Sequence, residues 1–280
     1  MRISLKTMVL PVLLAAVSGG ALVSQDVKNG PPPVLVINRE YLKPGRAGTM
    51  HEKTESAFIA AAKAGKAPFH YFAMTSVSGP DRALFFSGYP NFAAWEAENK
   101  ETDKIPGMSA SLDHAMMADG DLLSETDTSV WMLRNDQSQN LSGLTGVRYF
   151  EIEHFVVKPG HEGQWGELVK LVQAGYKQAL PTEGWAMFQM AFGGGSEFLV
   201  IQTRKSMTEM DESFANDKHF AEAMGKDGLK KLDDLEAACV ESRTTNLFRV
   251  SPKLSLPWPE LVADEPDFWK PKAAVAGKKP

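Results

Sequence analysis

Two short runs hold the ionisable residues best placed for chemistry. They are "VLVINREYL" at 34–42 and "YFEIEHFVV" at 149–157. Both read as strands, in which side chains alternate between faces. Asn38 and Glu40 then share one face, opposite Ile37, Arg39 and Tyr41. In the second run Glu151, Glu153 and Phe155 share a face, opposite Ile152 and His154. A further histidine, His70, opens "HYFAMTSV", and Trp185 opens the matching "WAMFQMAF". Gln189 faces the same way as Trp185 and Met187. An imidazole with a pKa near neutrality suits a general base. A base (His70 or His154) beside an anion-stabilising partner (Arg39 or Asn38) would suit an enolisable substrate. Both histidines and Arg39 also have plain structural readings, as a hydrogen-bonded strand start or solvated residues at a strand end.

Metal and nucleophile chemistry find little support in the sequence. "HEKTE" at 51–55 lacks the second histidine of a zinc-binding helix. His154 and His161 flank a Pro-Gly turn and need not converge. Cys239 is the only cysteine, so no internal disulfide forms, and its spacing from Leu229, Leu232 and Leu235 makes it a buried apolar residue. "GGGSEF" reads as a hairpin, not a phosphate loop. No metal site and no cofactor are expected. The 13 methionines fill core or line a permissive apolar pocket.

The elements that position these residues come in two copies. Lys43-Pro44-Gly45 recurs as Lys158-Pro159-Gly160, 115 residues on. A β-branched and aromatic run precedes each turn. After the second turn Trp165, Leu168, Val169, Val172 and Tyr176 mark one face of a helix. The first copy has the Ala-rich "AFIAAAKAGKA" there, also helix-favouring. Then follow a hairpin (69–89 and 184–204), a helical stretch in two pieces (about 91–118 and 206–239) and a last strand (128–134 and 244–250). "ETDKIPG" interrupts the first helical stretch, and "ND" at 216–217 the second. Each copy reads β-α-β-β-α-β, the ferredoxin-like order.

A four-stranded sheet of that kind carries helices on one face and must cover the other. Two copies supply each other's cover. The fold class is therefore α+β: two tandem ferredoxin-like repeats packed sheet to sheet as a pseudo-dimeric α+β barrel. The strand-"KPG"-helix openings, and "YPNFAAWEAENKE" at 89–101, resemble the dimeric α+β barrel superfamily. They resemble its antibiotic-biosynthesis-monooxygenase-like and NIPSNAP-like branches over roughly residues 33–250. The resemblance implies a ligand held inside the barrel or between sheet and helices. The ligand-binding candidates are Asn38 and Trp95, which the resemblance points to, and Arg39, Glu153, Trp185 and Gln189, which strand alternation singles out. In haem-degrading members an Asn, a Trp and a His line the pocket. Asn38 and Trp95 match the first two, but Ile105 and its neighbours stand where the histidine belongs. In the second copy His219 is suitably placed, but Glu153 and Met210 replace the Asn and the Trp. Neither copy carries the full set.

The organisation expected is a signal peptide at 1–24, repeats at 33–136 and 145–250, and a Pro-rich tail at 251–280. Arg2 and Lys6 precede an apolar run of about ten residues, Met8–Val17, then small residues. That is a secretory layout, and the run is shorter than the roughly 20 residues of a spanning helix. The protein is expected to be periplasmic or secreted, with no membrane association after cleavage. Trp258, Phe268 and Trp269 are expected to anchor part of the tail on the barrel surface. A net charge of -5 without a basic stripe argues against nucleic acid as a partner. The expected partner is a small apolar or aromatic molecule, and the fused halves are expected to form a monomer with an internal pseudo-two-fold axis.

Overall fold

The computed structural model describes residues 30–270. The expected signal peptide and the final residues from 271 lie outside them. The first half runs β1 (Val34–Leu42), α1 (Thr49–Gly65), β2 (Tyr71–Ser76), β3 (Arg82–Tyr89), α2 (Phe92–Asp103), α3 (Met108–Gly120) and β4 (Leu123–Leu133). The second runs β5 (Tyr149–Val157), α4 (Glu162–Ala179), β6 (Ala186–Met190), β7 (Ser196–Arg204), α5 (Thr208–Cys239) and β8 (Val240–Leu256). Two short helices follow, α6 (Pro259–Asp264) and α7 (Pro266–Trp269). The strands close one antiparallel barrel in the order β1-β3-β2-β8-β5-β7-β6-β4. The halves meet at β2–β8 and β4–β6. Closure leaves none of the described strands with an open edge.

The Lys-Pro-Gly repeat has a physical reason at each residue. The lysine amine reaches the end of a distant helix: Lys43 Nζ donates to Asp121 O at 3.0 Å, and Lys158 Nζ to Ala237 O at 2.7 Å. A cation there complements the negative helix end. Proline stops the strand. Gly45 and Gly160 sit at φ 76° and 83°, a region that costs other residues strain. Register shifts fall at matching places just before each turn, between Tyr41 and Leu42 and between Val156 and Val157.

Inward-facing residues from both halves fill the barrel. Leu35, Ile37, Phe72, Met74, Phe86, Trp131, Phe150, Ile152, Phe188, Ile201 and Phe248 form one buried cluster. Phe72 stacks on Phe150 across the two halves, with centroids 5.3 Å apart. Burying each such side chain contributes roughly 1.5–3 kcal/mol. The outward faces of the sheet carry separate cores beneath α1 and beneath α4 and α5. Cys239 is fully buried in the latter, as its spacing predicts.

Several boundaries differ from the sequence reading, and β4 starts at Leu123 where 128 was expected. The break in α5 falls at Gly225, with φ 62° and ψ 176°, not at Asn216-Asp217. Only glycine adopts that conformation readily, so it outweighs the weaker Asn-Asp signal. The last strand starts earlier and ends later, covering Val240–Leu256 where 244–250 was expected. Pro252 is accommodated next to a register irregularity in the β2–β8 pairing. The tail also does more than lie on the surface. Trp258, Leu261 and Trp269 join the barrel's interior cluster. Arg148 pairs with Glu265, Gly146 N donates to Glu265 Oε2 at 2.8 Å, and the Arg148 guanidinium lies 3.7 Å from the Phe268 ring centroid.

Candidate functional site

The amphipathic stripe of α4 does not close fully onto the sheet. Trp165, Leu168, Val169, Val172 and Tyr176 form one wall of a cavity of about 270 Å³. Phe155, Trp185, Met187 and Val200 form the sheet side, and Phe220 and Leu232 of α5 the lid. Gly175 permits this packing of α5 on α4. A Cβ there would lie 2.6 Å from both Met224 Sδ and Phe220 Cε2. The lining is rich in aromatic rings, with Tyr176 edge-on to Trp185 at 5.2 Å and Trp165 stacked on Phe198 at 4.7 Å.

A small set of polar groups converges on this apolar chamber. Glu153 Oε2 lies 2.6 Å from Arg243 Nη2 and accepts a 2.8 Å bond from Arg243 Nε. Arg243 Nη1 also reaches Glu236 Oε1 at 3.4 Å. Burial pushes the Glu153 carboxyl above the usual carboxylate range, against the pull of Arg243. Burial likewise raises the Tyr176 phenol, with Asp217 and Glu153 adding to it. Pockets for small organic molecules have this make-up, mostly apolar with a few placed polar groups.

The barrel interior offers less room. Its cavity, under Trp258 and among Leu35, Phe72, Phe86, Phe150 and Phe188, measures about 70 Å³. An apolar cavity of about 150 Å³ is what holds benzene. The interior as described is core.

Of the residues singled out in the sequence, Glu153 and Trp185 come together in the 270 Å³ pocket. Trp185 is fixed there by its Nε1 donating to Gln137 O at 2.9 Å. Gln189 lies on the same strand face but accepts a 2.5 Å bond from Arg134 Nη1. Asn38, the counterpart of Glu153, is exposed and accepts from Thr128 Oγ1 at 2.7 Å. Arg39 and His154 do occupy matching positions, each held by a carboxylate from a neighbouring strand. Arg39 lies 2.6 Å from Asp127, and His154 Nε2 2.7 Å from Glu197. His154 also sits edge-on to Trp131. His70 packs against Trp258, and burial holds its imidazole below the ordinary value. His70 precedes the residue that pairs with Leu256, whereas His154 pairs with Thr244, so the two histidines sit near opposite ends of β8. Neither lines the pocket. Trp95 stacks on Tyr89 at 5.6 Å and packs over Val34 and Val36.

Arg243 escaped the sequence reading because the last strand was expected to start at 244, four residues after its start at Val240. A second group was also missed. His51, 2% exposed, lies between α1, α3 and β1 with three carboxylates around it. Its Nε2 is 2.9 Å from Glu40 Oε2, 3.6 Å from Asp119 Oδ1 and 4.0 Å from Glu55 Oε1. Burial, with Glu40 and Asp119 nearby, pushes Glu55 up to about 9. The signal was the His51–Glu55 spacing, one helical turn, in which a glutamate stands where a zinc helix has its second histidine.

No protein-family model matches the chain, and no curated protein matches it by sequence. Solved structures do match in three dimensions. A candidate monooxygenase from Fusobacterium nucleatum subsp. nucleatum has a TM-score of 0.52 at 10% identity, over 79% of this chain and 93% of that one. An anthrone oxidase-like protein has a TM-score of 0.50 at 13% identity, over 78% and 91%. A mutant chlorite dismutase from Candidatus Nitrospira defluvii has a TM-score of 0.48 at 10% identity, over 85% and 97%. At such identities the likeness is one of fold alone. That fold is a closed eight-stranded antiparallel barrel flanked by helices.

Proposed function

We propose that the protein binds a small, largely apolar or aromatic molecule in the pocket between the sheet and helices α4 and α5. The observation that carries this reading is the pairing of Glu153 with Arg243 at the edge of an aromatic-lined cavity of about 270 Å³. The rings would hold the ligand's flat body. The carboxylate would accept a hydrogen bond from a ligand hydroxyl or amine, and the guanidinium would donate to a carbonyl or carboxylate. Filling the cavity with Val172→Trp is expected to abolish binding while the helical signal in circular dichroism is kept. Unchanged binding in that variant would count against the site.

The same reading takes the chain as two fused ferredoxin-like halves. Its support is that both halves give the spatial order fourth-first-third-second strand, with matching turns and register shifts. A monomer is proposed because each half already meets the other along both barrel seams. Light scattering on the full chain tests it. Export, read from residues 1–24, belongs to the proposal as well, and fractionation of producing cells tests it.

A second reading is favoured by the raised Glu153 carboxyl. A group that holds protons more tightly than an ordinary carboxylate is a better proton acceptor from carbon. On this reading the protein is a cofactor-independent, monooxygenase-like enzyme acting on an aromatic enolisable substrate. Glu153 would take a proton from a ring CH₂ group, and dioxygen would be the co-reactant. The carbon is oxidised to a carbonyl, and the dioxygen supplies that oxygen and one water. The anthrone oxidase-like neighbour makes an anthrone a sensible first substrate to try. Oxygen uptake lost in Glu153→Gln, with binding kept, would separate this reading from simple binding.

A further inference from the structure

The cluster around His51 is unlike anything at the matching place in the second half. There Phe155, Gly166 and Lys170 stand 115 residues on from Glu40, His51 and Glu55. The cluster is therefore no requirement of the fold. It concentrates three carboxylates and one imidazole at the junction of β1, α1 and α3, with the four ligand atoms all within 4.8 Å of one another. Among the described residues no lysine or arginine pairs with any of the three carboxylates. A buried group of like charges needs a compensating cation or a set of protons.

Geometry and surroundings favour a cation. Ligand atoms about 2.1 Å from a common centre in a tetrahedron lie roughly 3.4 Å apart. The three distances from His51 Nε2 (2.9, 3.6 and 4.0 Å) bracket that separation. Asp119 is already oriented, since Thr54 Oγ1 donates to its Oδ1 at 2.5 Å. An independent pointer is the Tyr71 hydroxyl. Tyr71 is 6% exposed, and its hydroxyl is buried with no hydrogen-bond partner. It lies close enough to Glu55 and Glu40 to feel both carboxylates. An unpaired buried hydroxyl is costly, and a water held by the ion as a fifth ligand would satisfy it. His51 also borders an open cleft of about 840 Å³.

We propose that Glu40, His51, Glu55 and Asp119 form a binding site for one divalent first-row metal ion. One imidazole with three carboxylates suits Zn²⁺ or Mn²⁺ better than the softer ions that thiolates select. The ion would tie β1, α1 and α3 together.

The test is calorimetric titration of Zn²⁺, and separately Mn²⁺, into full-length protein prepared without a histidine tag and stripped with chelator. The proposal expects about one equivalent bound per chain and a higher melting temperature with metal present. Glu55→Gln keeps the size and shape of the side chain. It is expected to weaken binding by at least about tenfold, as is Asp119→Asn. Absence of saturable binding by either ion overturns the proposal. Binding of equal strength in wild type, Glu55→Gln and Asp119→Asn places the ion elsewhere and overturns it too.

Discussion

Glu153 and Arg243 meet diagonally across neighbouring strands β5 and β8, 2.6 Å apart, at the edge of the aromatic pocket. The pair is half-sheltered: the Arg243 side chain is 46% exposed and the Glu153 side chain 16%. Replacing Arg243 leaves a buried carboxylate without its partner. Because the arginine is partly solvated, the cost is well short of that for a fully buried pair, about 1–2 kcal/mol. Chemical denaturation of Arg243→Met checks it. The carboxyl of Glu153 should rise further, which infrared titration would detect.

The two halves share one core, so they should unfold together. Phe150→Ala removes a ring that stacks on Phe72 of the other half. The expected loss is about 3–5 kcal/mol with a single transition retained. Two separate calorimetric transitions would show instead that each half carries its own stability.

Docking of the tail should depend on acid. The hydrogen bond from Arg148 holds the Glu265 carboxyl below its ordinary value of 4.5. A depressed carboxyl stabilises the docked form fully above 4.5 and loses that contribution as pH falls through the lower, folded value. Tail release is therefore expected only in acid below 4.5, and Glu265→Gln should remove that pH dependence. Fluorescence of Trp258 and Trp269, both buried against the barrel, reads it out.

Each Lys-Pro-Gly turn should reject a side chain for reasons of backbone alone. Nothing lies within 4 Å of a Cβ built on Gly160, which has φ +83°. Gly160→Ala is expected to cost about 1–2 kcal/mol through strain. Gly45→Ala should cost a similar amount, since its φ and open surroundings match. A neutral result at both positions would show that the turns can rearrange.

The antiparallel barrel with flanking helices was legible from the strand, turn and helix signals around the two Lys-Pro-Gly sites. The lysine, proline and glycine of each turn carry local roles that need no knowledge of the fold. The stripe from Trp165 to Tyr176 is likewise a one-helix signal, and it became the pocket wall. The break at Gly225 was less visible, since an isolated glycine in a helical pattern has several uses. Arg243 was out of reach because its role depends on where a strand begins. The cluster around His51 draws on β1, α1 and α3, so sequence spacing shows only its His51–Glu55 pair. Glu40 and Asp119 become its partners through tertiary packing.

The central claim is that the chamber under α4 and α5 is a ligand site. It is tested most directly by native mass spectrometry of the full chain purified from cells, compared with the denatured protein and with Val172→Trp. The account predicts a small organic molecule that leaves the wild-type protein on denaturation and never accompanies the filled variant. A molecule retained equally by Val172→Trp would contradict it.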